Sequence, residues 1–406
     1  MPARHVQQLS DELLFVFRRL LRWKRGLNYI KLKVMARQKT FVSISRKAVR
    51  NNARVIRGLI SPKARLWSVV KSNAYGHGLV TFAQLADPFV DGFCVDSVAE
   101  GVKLRANGII KPILVLGPTL PELYKTAANE RITISISNTA ALRALARTKQ
   151  MPEFHLKIDT GMHRQGFLSD ELPAVIRTIK KNKKLSAKLT GLFTHFASAK
   201  DINYPTYTDL QFDTFMQAAE LFNKAGFKNL VRHTAATGGM LVNKKYHLDA
   251  VRIGIGFYGL WPSKELEMQK KDIGLLPVLS WHALVSEVKS LKKGDYIGYD
   301  LVDRLNKSAT VAIVPIGYWH GFPRSLSSGA GEVLINGKRA PVLGRVSMDL
   351  LIVDVSGIRC AVGDRATLIG KQKSAELSAS SVAQKSGTTH YEFLTRINPL
   401  IERKII

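Results

Sequence analysis

Residues 69–78 read VVKSNAYGHG, and they follow directly on a short apolar run, LWSVV (66–70). A run of this length is typical of a buried β-strand, and the glycines after it favour a tight loop. Two interpretations of Lys71 stay open from this stretch alone. Either its side chain caps the strand and points to water, or it lies in a desolvated place. In the second case the amine loses its proton and attacks an aldehyde or ketone.

Similar apolar runs recur along the chain, with amphipathic segments such as 98–108 and 138–148 between them. The predicted strands are 66–71, 92–97, 112–117, 132–137, 153–159, 189–196, 230–235 and 250–256. Eight strands that alternate with helices predict a closed parallel (β/α)8 TIM barrel, and thus an α/β fold. A doubly wound open sheet is the alternative, but it needs a glycine-rich fingerprint after the first strand. The nearest match, GIGFYG (254–259), follows the eighth strand, so we favour the barrel.

The pattern changes near residue 272, because strand-like runs then follow one another without helices between them. These runs are 277–291, 308–316, 331–337, 340–355 and 365–370. Asn336-Gly337 is a strong signal for a β-hairpin, and a short helical stretch is predicted at 375–387. The sequence therefore predicts a barrel over residues 41–272 and a β-rich C-terminal domain over residues 273–406.

Residues 1–40 form a basic extension. The chain has a net charge of +30, and about half of it falls within residues 1–65. The segment 11–23, DELLFVFRRLLRW, could lie on an anionic surface, but it lacks the apolar core and cleavage site of a secretory signal. Translation could also begin at Met35. We expect residues 1–40 to be dispensable for the fold.

Composition excludes several classes of protein. The remaining charge is spread without a basic stripe or a nucleic-acid motif, so we expect no nucleic-acid partner. No apolar run approaches the ~18 residues of a membrane-spanning helix, so we expect no stable membrane insertion. Cys94 and Cys360 are far apart in sequence, which fits a reducing cytoplasm. The histidines at 163, 195 and 233 show no metal-ligand spacing, and we predict no metal.

Barrel enzymes carry their chemistry at the carboxyl ends of the strands. The residues at or just after those ends are Lys71, Lys157, Arg164, His195, Thr237, Arg252, Gly254 and Ile255. The loops after strands seven and eight commonly hold a phosphate, and the hydroxyl of Thr237 with the backbone N–H groups around Gly254 suits that role. One face thus offers a lysine for a carbonyl and a cradle for a phosphate. Pyridoxal 5′-phosphate (PLP) carries both groups.

At this point the sequence resembles the alanine racemases, which are PLP enzymes with a barrel and a C-terminal β-domain. The resemblance spans roughly residues 41–400. It rests on VVKSNAYGHG (69–78), LKIDTGMHRQGF (156–167), THFA (194–197), VRIGIGFYG (251–259), IGYD (297–300), IVPIGYWHGFPR (313–324) and VLINGKRAPVLGRVSMD (333–349). It implies an isomerase of the cytoplasm that interconverts L-alanine and D-alanine by a two-base mechanism and supplies D-alanine for cell-wall peptidoglycan.

The resemblance also implies a homodimer with shared active sites. Lys71 matches the lysine that binds the cofactor covalently and serves as one of the two acid/base groups. Tyr299 matches the second base, which reaches the cofactor from the other subunit. Met348 and Asp349 match a loop that reaches the substrate in the same way.

Roles for the other site residues follow from the same motifs. Tyr75 matches a tyrosine that donates its hydroxyl to the phosphate, and Arg252 matches the partner of the pyridine nitrogen. Arg164 matches the arginine that contacts the phenolic oxygen of the cofactor and the carboxylate of the substrate. Lys157 matches a lysine that is often carbamylated in order to hold that arginine. His195 matches the histidine that orients an arginine and a tyrosine.

The sequence departs from the family pattern at three places. Ala236-Thr237 stands where asparagine-serine is usual, which keeps a hydroxyl and loses an amide. Trp319-His320 stands where alanine-aspartate is common, near the entrance of the site. Pro399 stands where some members have a phosphate-binding tyrosine.

Other functions stay open beside alanine racemisation. The first is a racemase of broader or serine preference. A barrel decarboxylase would lack the IGYD and GRVSMD motifs in this arrangement. A non-catalytic PLP-binding protein would lack the β-domain that residues 273–406 supply.

Overall fold

The computed structural model describes residues 38–201 and 205–406. Two sheets organise them: an eight-stranded parallel sheet that curves into a nearly closed barrel, and a ten-stranded, mostly antiparallel sheet. Most of the predicted basic extension (residues 1–37) lies outside the described residues. No helix within the described ranges is long and apolar enough to cross a membrane.

The strands of both sheets are numbered in chain order. They are β1 (Thr40–Ile44), β2 (Arg65–Val69), β3 (Gly92–Val95), β4 (Ile113–Val115), β5 (Ile132–Ile136), β6 (Phe154–Lys157), β7 (Leu189–Phe193), β8 (Val231–His233), β9 (Ala250–Ile253), β10 (Leu279–Leu284), β11 (Glu287–Leu291), β12 (Tyr296–Ile297), β13 (Asp303–Arg304), β14 (Ala309–Val314), β15 (Glu332–Ile335), β16 (Lys338–Leu343), β17 (Leu351–Asp354), β18 (Arg365–Gln372), β19 (Ala375–Leu377) and β20 (Glu402–Ile405). Of these, β12 and β13 form a separate two-stranded ribbon.

The α-helices surround the barrel and close the second domain. They are α1 (Arg46–Leu59), α2 (Leu79–Ala86), α3 (Val98–Arg105), α4 (Tyr124–Asn129), α5 (Thr139–Ala146), α6 (Leu172–Lys181), α7 (Lys183–Lys188), α8 (Thr206–Lys224), α9 (Thr237–Val242), α10 (Lys264–Lys270), α11 (Ala379–Lys385) and α12 (His390–Thr395). The two predicted helices begin where the sequence offers a cap. Ser97 accepts a hydrogen bond from the N–H of Glu100, and Asn138 accepts one from Ala141.

The barrel consists of β2 to β9, in the order β8-β7-β6-β5-β4-β3-β2-β9. Seven of these eight strands are buried at all or all but one of their residues, which is why they show in the sequence as apolar runs. Two backbone hydrogen bonds link the ends of the sheet: Asp249 donates to Arg232 (3.0 Å) and Arg252 donates to Ala235 (2.9 Å). The predicted barrel is confirmed, and its strands are shorter than their predicted ranges.

The second sheet contains the predicted hairpin and corrects one predicted helix. Asn336 and Gly337 both have positive φ (51° and 84°) between β15 and β16, as a tight two-residue turn requires. The helical stretch predicted at 375–387 was wrong for its first three residues, which form β19 and pair with β18. The helix starts later because Ser378 caps α11 by accepting the N–H of Ser381.

The first described strand, β1, belongs to the second sheet. It pairs antiparallel with β10 and parallel with β20, although it precedes the barrel in sequence. The range 41–272 predicted for the barrel therefore begins with a strand of the other sheet. The two sheets share one continuous apolar core, so the second domain is held firmly against the barrel.

Candidate active site

A cavity of about 450 Å3 opens at the carboxyl ends of the barrel strands. Nine predicted site residues line it: Lys71, Tyr75, Lys157, Arg164, His195, Thr237, Arg252, Gly254 and Ile255. Helix α12 of the second domain adds Tyr391 to the lining. The cavity is therefore built mainly by the barrel and completed by the neighbouring domain of the same chain.

Lys71 follows β2 and is followed by a turn with left-handed backbone conformation. The four residues 72–75 have φ between 52° and 56°, which is the left-handed region. This conformation costs roughly 1–2 kcal/mol per non-glycine residue, so surrounding contacts must hold it. The carboxylate of Glu100 accepts the N–H of Ser72 at 2.7 Å. The ammonium of Lys71 lies 3.4 Å from Oδ1 of Asp96, and both side chains are partly exposed.

Three further groups fix the end of this turn. His77 is fully buried, and its Nδ1 donates to the carbonyl oxygens of Ala74 (3.0 Å) and Tyr75 (3.1 Å). Burial lowers the pKa of His77 to about 3, so the ring is neutral. Arg403 donates to the carbonyl oxygen of Gly76 at 2.9 Å. Gly76 itself has φ of 85° and lies against the backbone of α12, where a Cβ would collide.

An anion cradle lies at the end of the cavity formed by Tyr75, Thr237 and the loop after β9. A Cβ on Gly254 would lie 2.7 Å from the hydroxyl oxygen of Tyr75, so this backbone lies directly against the phenol. Within the described residues, the N–H groups of Gly254 and Ile255 have no hydrogen-bond acceptor. The hydroxyl of Thr237 accepts the N–H of Gly256 at 3.3 Å and can still donate its own proton. Unpaired donors of this kind favour an anion.

Arg252 is a buried cation whose two terminal nitrogens both have acceptors. Its side chain is 2% exposed. The guanidinium donates to the carbonyl oxygens of Thr194 (2.7 Å), His233 (2.9 Å) and Thr234 (3.0 Å) and to Nδ1 of His233. Burial lowers the pKa of Arg252 to about 10. The guanidinium therefore stays protonated at neutral pH and donates hydrogen bonds without giving up a proton.

Two buried histidines extend this chain of hydrogen bonds. Because a guanidinium can only donate, Nδ1 of His233 is an acceptor. Its Nε2 therefore carries the hydrogen and donates to Nδ1 of His155 at 2.8 Å. Burial, followed by the charge of Arg252, lowers the pKa of His155 to about 3 and that of His233 well below its usual range. Both rings are neutral.

The sequence prediction missed His155 and His233 as parts of the site. His155 precedes Lys157 by two residues, and the two-residue period of a strand puts both side chains on one face. That spacing was the available signal. His195, which was predicted, also lies in a cationic setting: burial, then the charge of Arg252, lowers its pKa to about 3.

Lys157 is the most perturbed lysine of the cavity. It is 6% exposed, and its Nζ donates to Oε1 of Gln165 at 3.2 Å. Burial, followed by the charges of Arg164 and Arg252, lowers the pKa of Lys157 to about 8. A fraction of this lysine is thus a neutral amine near physiological pH. Arg164 lies exposed at the mouth of the cavity.

The single chain does not bring Tyr299, Met348 and Asp349 to this cavity. Tyr299 lies on a single 3-10 turn of the second domain and is 68% exposed. Met348 is 55% exposed, and Asp349 lies 3.9 Å from Nδ1 of the buried His320. The ion pair of Asp300 with Arg345 (2.7 Å) ties the turn to the loop after β16 that leads to Met348.

Tyr299 and Met348 belong to a group of exposed apolar side chains, which we call the outer face. It comprises Tyr296, Tyr299, Leu301, Val302, Tyr318, Trp319, Met348 and Leu350. Backbone N–H groups of Tyr318 and Trp319 donate to the carbonyls of Ser347 and Met348, which joins the two loops. Several large apolar side chains exposed on joined loops are typical of an interaction site.

The structure clarifies the three departures from the family pattern. Thr237 keeps a hydroxyl in the cradle. His320 accepts the N–H of Gly317 at 3.2 Å through Nδ1 and so caps its own turn. Pro399 is absent from the cavity lining, whereas Tyr391, which was not predicted, lies in it.

In the part of the chain that the structure describes, no group of three or more His, Cys, Asp or Glu side chains is placed to hold a metal ion.

The position of the cavity, at the carboxyl ends of a parallel barrel, defines the protein as a barrel enzyme. Comparison with known families narrows that class. The profile of the alanine racemase N-terminal domain matches residues 44–262, and that of the alanine racemase C-terminal domain matches residues 278–405. The chain belongs to the alanine racemase family, and it is an isomerase of that family, whose members racemise alanine.

Individual relatives agree with this assignment. An alanine racemase of Leptospira interrogans (strain Fiocruz L1-130) is 33% identical over 376 residues, covering 90% of this chain and 96% of that protein. One of Halothermothrix orenii is 34% identical with the same coverage. The crystal structure of alanine racemase from Bacillus anthracis with bound L-Ala-P has a TM-score of 0.86 and 33% identity, covering 91% of this chain and 95% of that one. An alanine racemase of Clostridium difficile 630 has a TM-score of 0.85 and 31% identity, with 91% and 96% covered.

Proposed function

We propose that this protein interconverts L-alanine and D-alanine with PLP as its cofactor, in the cytoplasm, and so supplies D-alanine for peptidoglycan. The observation that carries the proposal is the cavity itself. It combines an available amine on Lys71, a buried guanidinium on Arg252 and a cradle of unpaired N–H groups within one space. These three groups are complementary to an aldehyde, a pyridine nitrogen and a phosphate.

The donor set fits PLP at each end. Lys71 would hold the aldehyde carbon, and the hydroxyls of Tyr75 and Thr237 with the N–H groups of Gly254 and Ile255 would hold the phosphate. When bound, PLP supplies a conjugated ring that withdraws electrons from the Cα of the amino acid. Arg252, at the other end, would hold the ring nitrogen by a hydrogen bond. Because the guanidinium keeps its proton, it limits how strongly the ring withdraws electrons and so disfavours side reactions such as transamination.

Racemisation needs a proton donor and acceptor on each face of the substrate Cα. Lys71 supplies one from within the cavity. Tyr299 would supply the other, although its own chain leaves it on the outer face. We therefore propose a homodimer in which Tyr299, Met348 and Asp349 of each subunit complete the site of its partner. The exposed apolar character of the outer face supports this arrangement.

We also propose that Lys157 is carbamylated. Its neutral fraction can attack carbon dioxide, which forms an N–C bond and releases a proton to solvent. The product carries a negative charge among Lys71, Arg164 and Arg252, which would stabilise it. It would hold Arg164, which we propose binds the substrate carboxylate. With 13C-labelled bicarbonate, wild-type protein should show a carbamate carbon signal by NMR, and Lys157→Met should not. A signal that persists in Lys157→Met would place the carbamate elsewhere.

The proposed activity is tested on the purified protein loaded with PLP. L-Alanine and L-serine should be assayed side by side, with both enantiomers quantified by chiral chromatography. We expect D-alanine to form at a clearly higher kcat/KM than D-serine. A higher kcat/KM for serine would mean that serine, and not alanine, is the preferred substrate. If PLP binds but neither amino acid is racemised, the protein is a non-catalytic PLP-binding protein.

A second experiment tests where the cofactor is attached. Reduction with borohydride should fix PLP covalently, and peptide mass mapping should find the label on the peptide that contains Lys71. A label on Lys157 instead would reverse the roles given to the two lysines.

A further inference from the structure

Gln165 is a polar residue of the cavity that lies beside Lys157. Its side chain is half-buried, and its Oε1 accepts a hydrogen bond from Nζ of Lys157 at 3.2 Å. Among the described residues this amide oxygen is the one hydrogen-bond acceptor of that Nζ. The N–H groups of the same amide have no acceptor within the described residues. One amide oxygen therefore holds a buried amine, and two amide N–H donors next to it are free.

The backbone brings Gln165 to Lys157. The loop after β6 turns back on its own strand, because the N–H of Phe167 donates to the carbonyl of Lys157 and the N–H of Asp159 donates to the carbonyl of Phe167, both at 2.9 Å. A Cβ on Gly166 would lie 2.4 Å from the backbone nitrogen of Asp159, so this part of the loop lies directly against the strand end. The fold of the loop thus sets the contact between the two side chains.

The surroundings of Lys157 disfavour an ammonium. Within the described ranges Lys157 forms no ion pair, and its hydrogen-bond partner is neutral. Asp159 is the carboxylate whose charge raises the pKa of Lys157, but its Oδ1 already accepts the N–H groups of Gly161 and His163, each at 3.0 Å. Burial and the neighbouring cations act in the opposite direction and lower the pKa of Lys157 to about 8. The site therefore favours a neutral amine, and an anion in its place still more.

A glutamine amide can hold both forms of this lysine. Its carbonyl oxygen accepts from an amine, and its NH2 group donates to an anion. When Nζ of Lys157 attacks carbon dioxide, an N–C bond forms, a proton leaves to solvent, and the product carries two oxygens that can only accept. A half-turn of the amide then presents its NH2 group to one of them. A hydrogen bond to the charged carbamate is stronger than one to the neutral amine, so the amide favours the carbamate.

We propose that Gln165 is a positioning residue for Lys157: its amide oxygen holds the amine, its NH2 group holds the carbamate, and the amide thereby raises the affinity of the site for carbon dioxide. Because the carbamate would in turn hold Arg164, Gln165 acts on the substrate-binding arginine through Lys157. This inference rests on the carbamylation of Lys157 proposed above.

The test measures how much carbon dioxide each variant takes up. Purified full-length protein loaded with PLP is titrated with 13C-labelled bicarbonate at about pH 9, where the amine of Lys157 is mostly neutral. The carbamate carbon signal is followed by NMR. For Gln165→Leu we expect half-saturation at about 5- to 10-fold higher bicarbonate, because the carbamate loses a stronger hydrogen bond than the amine does.

Gln165→Glu separates an electrostatic role from packing, because it keeps the size of the side chain. Its carboxylate would lie beside the carbamate as a second negative charge, so the carbamate signal should be lost. Without bicarbonate, the same carboxylate should raise the pKa of Lys157, which is measured from the NMR shift of its Cε. A change in packing alone would leave this pKa where it is.

Gln84→Leu is the matched control, because Gln84 is exposed on α2 and donates to the carbonyl of Asn107 away from the cavity. It should take up carbon dioxide as the wild type does. Normal uptake by Gln165→Leu, or an unchanged pKa of Lys157 in Gln165→Glu, would overturn the role of Gln165 and leave the carbamylation in place. A wild type without any carbamate signal would overturn the carbamylation of Lys157, and this inference with it.

Discussion

The two parts of the proposed active site differ in how completely one chain builds them. In the barrel, Arg252, His233 and His155 are buried and joined by hydrogen bonds. On the outer face, Tyr299 and Met348 are more than half exposed and lie outside the cavity. The first part is complete within one folded chain. The second part is a surface that acquires its function only against another molecule.

This difference separates two kinds of sensitivity to mutation. Changes in the barrel part should act within one subunit and affect its folding, its cofactor or its chemistry. Changes on the outer face should act on the neighbouring subunit and leave the fold of their own chain intact. The following variants test that division.

Lys71→Ala should have the largest effect. It removes both the amine for the aldehyde and one of the two bases, so alanine racemisation should fall by at least about 10⁴-fold. Chiral chromatography measures the loss. The control is Lys63→Ala, a lysine outside the cavity lining, which should keep full activity. An active Lys71→Ala enzyme would refute the assignment.

Tyr299→Phe should follow, with a loss of ~10²–10⁴-fold, as is typical for a general base. By family resemblance Lys71 serves D-alanine and Tyr299 serves L-alanine. In deuterated water the variant should therefore still exchange the Cα hydrogen of D-alanine, with retention, and exchange that of L-alanine much more slowly. Mass spectrometry measures both rates. Equal slowing of both enantiomers would point to one shared base.

His233→Phe should destabilise the barrel part by ~1–3 kcal/mol at pH 7.5, because Nδ1 of His155 loses its partner. The new ring can keep the stack on Phe193, whose ring is 4.9 Å away and parallel within 5°. Chemical denaturation measures the change. Exposed His163→Phe is the control.

The stabilities of the wild type and of His233→Phe should depend differently on pH. The pKa of His233 is lower in the folded state than in the unfolded chain, so only the unfolded chain takes up a proton as pH falls below about 6.5. Wild-type stability falls in that range, and the variant lacks this contribution. The deficit of His233→Phe should therefore be smaller at pH 5 than at pH 7.5. A larger deficit at pH 5 would mean that His233 is charged in the fold.

Mixing Lys71→Ala with Tyr299→Phe tests the division between subunits directly. Random reassociation makes half of the dimers mixed, each with one intact site of two, so activity should return to about a quarter of the wild type. Each variant refolded alone is the control. If mixed dimers form but remain inactive, Tyr299 does not act across subunits.

Asp96→Asn should have the smallest effect. The ion pair of Asp96 with Lys71 is partly exposed at 3.4 Å, and such pairs contribute roughly 0–1 kcal/mol. Denaturation midpoints of the variant and the wild type should agree closely. A loss of several kcal/mol would show that the pair also holds the turn after β2.

The sequence predicted the parts of the fold that have a local signal. Each barrel strand is an apolar run because it is buried, and the Asn336-Gly337 hairpin needs residues that tolerate positive φ. Pairing of β1 with β20 has no such signal, because it joins residues at opposite ends of the chain. Residues 375–377 were predicted as helix because their local pattern is helical. They form the strand β19 because they pair with β18, and this pairing has no local signal in the sequence.

Prediction of the site residues was limited in the same way to residues with a local signal in the sequence. Lys71, Arg252 and Thr237 could be predicted because they stand at strand ends or in recognisable motifs. Tyr391 could not, because it enters the cavity only through the docking of another domain. His155 and His233 lie inside apolar runs, where a histidine looks like part of the core until its hydrogen-bond partners are known.

The pairing of β1 with β20 also determines when parts of the fold can form during synthesis on the ribosome. About 235 residues separate the end of β1 from the start of β10, its first partner, and at typical synthesis rates that takes roughly 10–50 s. Its second partner, β20, follows more than 100 residues after β10. The turn that carries Lys71 waits as long, because Leu394 and Arg403 hold Gly76 in place. Lys71 is therefore synthesised about 320 residues before Leu394, and its turn is completed only after that stretch has been made.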